Sequence, residues 1–331
     1  MILGIESSCD DSSLAIIDEK NLECKFYKKI TQEEDHAKFG GVVPELAARL
    51  HTAALPKLLE EIKPYFNSLK AVAVTNEPGL SVSLISGVSV AKTLSVALNL
   101  PIIAINHLIG HIYSLFLERE AEFGLGVLLV SGGHTMVLDI DESGKIEILA
   151  TTGDDSFGES FDKVAKMMNL GYPGGAVIEQ KALNGVSGAF EFTVPLKGDK
   201  RVEYSFSGLK NQVRVQIEKL GNLSEQEICD ISLAFQKAAC LHIIDKLKII
   251  FKQKRFTKFG VVGGASANKF LRANLQKLCD NYNCQMLVAP LEFCSDNALM
   301  IARAGVEKYR KSEFTHYKEL KINPKLHITK T

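Results

Sequence analysis

The chain has no net charge: across 331 residues, 39 Lys and Arg balance 39 Asp and Glu. A globally basic nucleic-acid surface is excluded, and any RNA contact has to come from local patches. No run of 18 or more consecutive apolar residues occurs, which argues against a membrane-spanning helix. The first segment, MILGIESSCDDSS, brings acids early and has no basic stretch, so it does not read as a secretory signal. The seven cysteines (Cys9, Cys24, Cys229, Cys240, Cys279, Cys284, Cys294) are odd in number, irregularly spaced and contain no C-x-x-C pair. That pattern fits a reduced, cytoplasmic setting better than a disulfide framework. Three catalytic signatures are also missing: the P-loop G-x-x-x-x-G-K-S/T, the dinucleotide G-x-G-x-x-G and the metallopeptidase H-E-x-x-H.

What is present suits two domains. A hydrophobic share of 46% supplies ample core, and the length exceeds one ordinary domain. Residues 2–5 and 14–17 are apolar around a Ser- and Asp-rich turn and read as strand, turn, strand. Residues 127–130 and 135–140 repeat the unit around Ser131-Gly-Gly-His134, about one domain length later. The two units predict a duplicated architecture with a boundary near residue 110.

Between and after them, strands alternate with helices. Helical periodicity covers 44–62, a Ser/Val/Ala-rich stretch to Leu98, 159–169, 224–251, 267–278 and 295–308. Short apolar strands read at 71–75, 101–105, 259–262 and 285–289, and Asn106 is placed to cap the helix that follows it. This is an α/β chain.

His107 and His111 are the sharpest local signal. Four residues apart on a helix, their imidazoles share a face and can converge on one ion such as Zn, Fe, Ni or Cu. The competing reading is two histidines on a solvated face. Leu108 stands where a metallopeptidase would carry its catalytic Glu. Asp296 lies in a polar turn at a helix start, and on sequence physics alone it reads as a dipole-favoured N-terminal acid.

Three Gly-rich turns border regular elements: Ser131-Gly-Gly133, Gly171-Tyr-Pro-Gly-Gly175 and Gly263-Gly-Ala-Ser-Ala-Asn268. Glycine lets backbone N–H groups approach phosphate closely, and helix N-termini favour anions. Tight turns explain each one singly; together they predict a nucleotide site. The acids Glu6, Asp10, Asp11, Asp154, Asp155, Glu159 and Asp162 read either as site groups or as helix-capping, solvated carboxylates. The basic cluster Lys246, Lys248, Lys252, Lys254, Arg255 and Lys258, with the basic C-terminal tail, reads first as a solvated face and second as a phosphate-contacting RNA patch.

Nine strings, in order and almost throughout the chain, carry a resemblance: Gly4-Ile-Glu-Ser-Ser-Cys-Asp-Asp11, His36-Ala-Lys-Phe-Gly-Gly-Val-Val-Pro44, Asn106-His-Leu-Ile-Gly-His111, Leu129-Val-Ser-Gly-Gly-His134, Phe161-Asp-Lys-Val-Ala-Lys166, Gly171-Tyr-Pro-Gly-Gly175, Ser205-Phe-Ser-Gly-Leu-Lys210, Gly263-Gly-Ala-Ser-Ala-Asn268 and Cys294-Ser-Asp-Asn297. The sequence resembles the tRNA N6-adenosine threonylcarbamoyltransferases (TsaD, bacterial type; formerly called O-sialoglycoprotein endopeptidases). The resemblance implies a duplicated actin-like ATPase fold: a lobe of residues 1–110, a lobe of residues 111–296 with a helical insertion, and a helix within 297–325 returning to the first lobe.

It also implies roles. His107, His111 and Asp296 are the expected metal ligands, for Fe(II) with Zn as substitute. Leu129, Val130, Ser131, Gly132 and Gly133 form the expected phosphate cradle for an adenylate-type substrate or ATP. Asp162, Gly175 and Asn268, with Glu179 at the ribose, are expected to hold the adenosine part. The implied reaction moves threonylcarbamoyl from its adenylate to N6 of adenosine 37 in tRNAs that read codons beginning with adenine. No covalent nucleophile is needed, and no cysteine sits in a Cys/His pattern. Implied partners are tRNA, a TsaB-like paralogue, a TsaE-like P-loop ATPase and a TsaC- or Sua5-type enzyme that makes the donor. The helix over 82–98 reads as a core helix or as a partner surface. The rival functions are an ATP-hydrolysing kinase or chaperone of the same fold and a metallopeptidase.

Overall fold

Strands buried on both faces are apolar throughout, and those buried on one face alternate. β1 (Ile2–Glu6) is of the first kind as far as Ile5, and all five of its residues are buried, the last being the acid Glu6. It pairs antiparallel with β2 (Asp11–Ile17) and parallel with β4 (Ala71–Glu77). β3 (Cys24–Thr31) lies outside β2 and β5 (Ile102–Asn106) outside β4, giving the order β3-β2-β1-β4-β5. The computed structural model describes residues 1–325.

The second half repeats this plan. β6 (Leu125–Val130), β7 (Thr135–Ile140) and β8 (Ile146–Thr151) form an antiparallel meander. β9 (Lys258–Val262) pairs parallel with β6, and β10 (Gln285–Val288) parallel with β9. Read from its other edge, the order β8-β7-β6-β9-β10 matches that of the first sheet, strand for strand and sense for sense. The duplication that two hairpins suggested is thus a repeat of a whole five-stranded topology.

The chain divides into two compact units: one runs from Met1 to Ala121 and takes up again at Asp296, the other spans Glu122–Ser295. In the first, the short α1 (Glu33–Ala37) leads to α2 (Pro44–Ile62), then α3 (Ser81–Leu98) and α4 (His107–Tyr113). α2, α3 and the sheet enclose a core built from Leu3, Ile5, Leu55, Leu58, Val72 and Val74. α3 is long and apolar enough to cross a membrane by length and composition, yet it packs on α2 and β4. Its Ile85 and Val96 remain exposed.

The second unit holds α5 (Phe157–Met167), α6 (Gly174–Ala182), α7 (Ser207–Leu220), α8 (Glu225–Gln253) and α9 (Lys269–Asn281). α8 starts at a capping box in which Ser224 and Glu227 each bind the other's backbone N–H. Its apolar face, with Ile231, Phe235 and Ile243, fills the core against Phe161, Phe206 and Leu271.

α10 (Ala298–Arg310) belongs to the first unit and lies across β1. The approach is so close that a Cβ on Gly4 would sit 2.4 Å from the carbonyl oxygen of Ala298. Glycine at that position therefore fixes how near the start of α10, and Asp296 just before it, comes to the sheet.

Candidate metal centre and nucleotide loops

α4 begins where Asn106 caps it. The Asn106 side-chain oxygen accepts the N–H of Leu108 at 2.9 Å and of Ile109 at 3.3 Å. His107 and His111 consequently stand one turn apart on the same face, their ring centroids 4.6 Å apart. α10 packs on α4, and its cap Asn297 accepts the N–H of Met300 at 2.9 Å. The preceding residue, Asp296, points Oδ1 at both rings, 3.3 Å from His107 Nε2 and 3.1 Å from His111 Nε2. His111 is fully buried and His107 is 7% exposed, so neither lies on a solvated face.

One ligand atom from each of the three residues lies within 4.8 Å of the others. Two imidazoles and one carboxylate are a donor set that suits a divalent transition-metal cation. The electrostatics favour a cation. Burial works against charge on His107, but the Asp296 and Glu6 carboxylates override it and hold its imidazolium pKa well above the usual value. Burial likewise opposes ionised Asp296, and the His107 charge overrides it, keeping that carboxyl well below its usual range. Burial lowers His111, which stays neutral. An apo site that holds a proton between carboxylates is one where a metal ion can replace that proton. His111 Nδ1 is buried without a hydrogen-bond partner among the described residues.

The loop after β1 supports this centre. Ser8 Oγ lies 3.1 Å from His107 Nδ1. Asp11 Oδ2 pairs with Lys29 Nζ at 2.9 Å, and Lys29 also donates to the Asp296 carbonyl at 3.4 Å. Burial pushes the Asp11 carboxyl up to about 6, against the pull of Lys29. His51 of α2 binds Ser12 Oγ at 2.7 Å and the Cys9 carbonyl at 2.9 Å, pinning the loop from the other side.

In the second unit, Leu129 and Val130 end β6 as buried core residues, and the chain turns through Ser131, Gly132 and Gly133. Ser131 N–H donates to the His134 carbonyl at 2.8 Å, and its hydroxyl accepts the His134 N–H at 3.1 Å. Ser156, the cap of α5, donates to the Gly132 carbonyl at 2.6 Å. No atom lies within 4 Å of where a Cβ on Gly132 or Gly133 would stand, so a ligand can approach their backbone. Asp162 of α5 accepts the Gly174 N–H at 2.7 Å, which holds the α6 N-terminus beside it, and Gly175 faces open space. Asn268 caps α9 by accepting the Leu271 N–H and donates to Gln236 Oε1, both at 2.8 Å. Glu179 accepts the Lys269 N–H at 2.6 Å. Asp162 thus ties α5 to the start of α6, Glu179 ties α6 to the start of α9, and Asn268 caps α9.

The family model of TsaD, tRNA N6-adenosine threonylcarbamoyltransferase, matches residues 26–303. A curated tRNA N6-adenosine threonylcarbamoyltransferase from Campylobacter fetus subsp. fetus (strain 82-40) is 66% identical, covering 98% of this chain and 97% of that protein. One from Campylobacter jejuni subsp. jejuni serotype O:6 is 62% identical, again over 98% and 97%. The chain belongs to this family. Among solved structures, full-length HypF in its phosphate- and nucleotide-bound form superposes with a TM-score of 0.60 at 14% identity, covering 93% of this chain and 46% of HypF. The Acidaminococcus fermentans (R)-2-hydroxyglutaryl-CoA dehydratase component A gives 0.54 at 12%, over 94% and 98%. These likenesses concern the fold, and with the duplicated sheets they make it the two-lobed actin-like ATPase fold.

Several other residues of this transferase have structural duties. Asp154 accepts the N–H of Phe206 at 2.8 Å and the Ser205 hydroxyl at 2.5 Å, seating the start of α7. Asp155 pairs with Lys163 at 2.6 Å and Lys210 at 2.5 Å. Of the basic cluster, Lys246 is buried and donates to the Leu196 and Asp199 carbonyls. Lys254 pairs with Asp139 and Glu147, and Lys258 with Glu122. A phosphate-contacting patch built on Lys246 is corrected by its burial. Of the C-terminal tail, Lys330 lies outside the described residues. All seven cysteines are free, and burial raises the thiols of Cys9, Cys240 and Cys279, the last to about 12. None of these three is an activated nucleophile.

Proposed function

We propose that this chain transfers the threonylcarbamoyl group of threonylcarbamoyl-AMP to N6 of adenosine 37 in tRNAs reading codons that begin with adenine. The observation that carries the proposal is the family match together with the convergence of His107, His111 and Asp296 on one point. The donor is a mixed anhydride, and the acceptor amine is a weak nucleophile because its lone pair is delocalised into the purine. The enzyme has to hold the acyl carbonyl in reach and stabilise departing AMP.

His107, His111 and Asp296 would hold a divalent metal, Fe(II) or Zn, which supplies Lewis-acid charge for donor oxygens when bound. The N–H groups of Gly132 and Gly133, and that of Gly175 at the α6 N-terminus, would be offered to the phosphate, while Ser131 and Gly174 spend theirs on His134 and Asp162 and hold the two turns in shape. Asp162, Glu179 and Asn268 position those backbone donors and frame the adenosine, through bonds already made to Gly174, Lys269 and Leu271. Asp11, with a carboxyl pushed up to about 6, is suited to accept a proton near neutrality.

The free cysteines support a cytoplasmic setting without disulfides. tRNA is the macromolecular substrate, and the donor comes from a TsaC- or Sua5-type enzyme. A TsaB-like paralogue and a TsaE-like ATPase complete the system, and exposed Ile85 and Val96 on α3 support a partner surface there.

The test is reconstitution with tRNA, threonine, bicarbonate, ATP and the partner enzymes, read by nucleoside mass spectrometry. Modified adenosine forms with this chain and disappears when it is omitted. Product formation without it overturns the proposal.

A further inference from the structure

Glu6 closes β1 and is fully buried. A buried carboxylate is costly unless its oxygens are satisfied. Oε1 accepts the Ser8 N–H at 2.6 Å. Oε2 accepts the Thr75 hydroxyl at 2.5 Å and lies 3.2 Å from His107 Nδ1. The neutral donors Ser8 and Thr75 come from the loop after β1 and from β4, so the carboxylate is held rigidly by two elements before it meets the ring.

That contact decides the chemistry of His107. Two oxygens lie in reach of Nδ1, Ser8 Oγ at 3.1 Å and Glu6 Oε2 at 3.2 Å; the hydroxyl can donate or accept, but an ionised carboxylate only accepts, so the carboxylate is satisfied when Nδ1 carries the hydrogen. The other nitrogen, Nε2, is then the one that faces Asp296 and His111. His111 receives no such help, since its Nδ1 is buried without a partner among the described residues. The two histidines of the centre are therefore unequal: one is backed by a buried carboxylate, the other is not.

We propose that Glu6 is a positioning residue for the metal centre: by accepting the Nδ1 hydrogen of His107 it fixes the ring's tautomer and orientation and strengthens Nε2 as a donor to a divalent cation. The inference rests on the metal reading of His107, His111 and Asp296 and adds a residue that touches neither substrate nor ion. The competing role for Glu6 is purely architectural, as a tie between β1, β4 and the loop. A tie affects folding and leaves the affinity of the folded protein for metal unchanged.

The experiment uses the full chain, stripped of metal, with Zn(II) and Co(II) as probes. Affinity is read by competition with a chromogenic chelator, ligand geometry by the visible spectrum of bound Co(II), and folding by thermal melting of the apo protein. Glu6→Gln keeps the shape and removes the charge. It is expected to weaken binding by about 10- to 100-fold, the usual loss for such a supporting group, and to alter the Co(II) spectrum in a chain whose apo form still melts cooperatively. Glu6→Asp, a shorter carboxylate, is expected between wild type and Gln. Thr75→Val, which removes one hydrogen bond to Oε2, is expected to cost severalfold and is the deciding variant if Glu6→Gln does not fold.

Wild-type affinity and an unchanged Co(II) spectrum in the folded Glu6→Gln chain, or wild-type affinity in Thr75→Val where that variant decides, overturn the inference. His111→Ala separates this failure from a failure of the metal reading. If it binds as tightly as wild type, or if wild type binds no metal, the centre itself is misassigned and the role of Glu6 falls with it.

Discussion

Loading the His107–His111–Asp296 centre with a divalent cation is expected to release a proton. Without an ion, His107 is an imidazolium held between Asp296 and Glu6, with its pKa well above the ordinary value. Asp296 and Glu6 are both held low and are already ionised, and His111 is held low and is already neutral. At neutral pH, then, the one group that must lose a proton to bind metal is His107. One proton exchanged per ion makes affinity change about tenfold, or about 1.4 kcal/mol, per pH unit. Affinity rises with pH until the raised pKa of His107 is passed.

The apo protein responds with the opposite sign. A raised histidine pKa contributes stability that is full below the unfolded value of about 6.5 and fades as pH rises through the folded value. The lowered carboxylates contribute above about 4 and lose their effect on acidification. Calorimetric titration with Co(II) in two buffers of different ionisation enthalpy measures the released proton directly. Equal heats in both buffers, with an affinity that is flat from about pH 6 to 7.5, would refute the imidazolium.

Three further outcomes follow from particular contacts. The Asp11 carboxyl, pushed up to about 6, should titrate near that value in a carboxyl carbon NMR experiment; a midpoint near 4 contradicts the burial argument. Gly4→Ala places a methyl 2.4 Å from the Ala298 carbonyl oxygen and 2.7 Å from Ala302 N, both backbone. It should cost at least the roughly 1–3 kcal/mol typical of overpacking and weaken metal binding by moving Asp296, whereas unchanged melting and affinity refute the close approach. Gly158→Ala sets a methyl 2.5 Å from the Ser131 carbonyl oxygen and should push α5 from the turn, so AMP or ATP affinity should fall by tenfold or more in an equilibrium binding assay while Co(II) binding is kept. Full nucleotide affinity in the folded variant argues against the turn as phosphate cradle.

Much of the fold was legible because its central strands are continuous apolar runs and its main helices carry clear periodicity. β1, β2, β4, β5, β6, β7, β9 and β10 fall where the apolar segments lie. β3 and β8 escaped notice because they are half-exposed edge strands. β3 carries lysines at 25, 28 and 29, which suit an edge and hide its alternation. α7 escaped because its sequence, SGLKNQVRVQIEKL, is mostly polar and buries only Leu209 and Val213.

At the site, the histidine pair was visible from its spacing, but Asp296 read as a helix-terminal acid until the resemblance linked it to that pair, whose nearer member, His111, lies 185 positions away. Glu6 stood among the acids without a role for the same reason. Its partners Thr75 and His107 lie 69 and 101 positions along the chain, distances at which no local pattern operates. The acids at 154 and 155, which read either as site groups or as helix-capping carboxylates, seat the start of α7.

The most direct measurement is metal content and product yield in the same preparations of wild type and Asp296→Ala. Metal is counted by elemental mass spectrometry after anaerobic purification, and product by nucleoside mass spectrometry after reconstitution with tRNA and the partner enzymes. The account predicts one divalent ion per wild-type chain, and loss of both ion and modified adenosine in a variant that still folds. Wild-type product from an Asp296→Ala chain that binds no metal would contradict it.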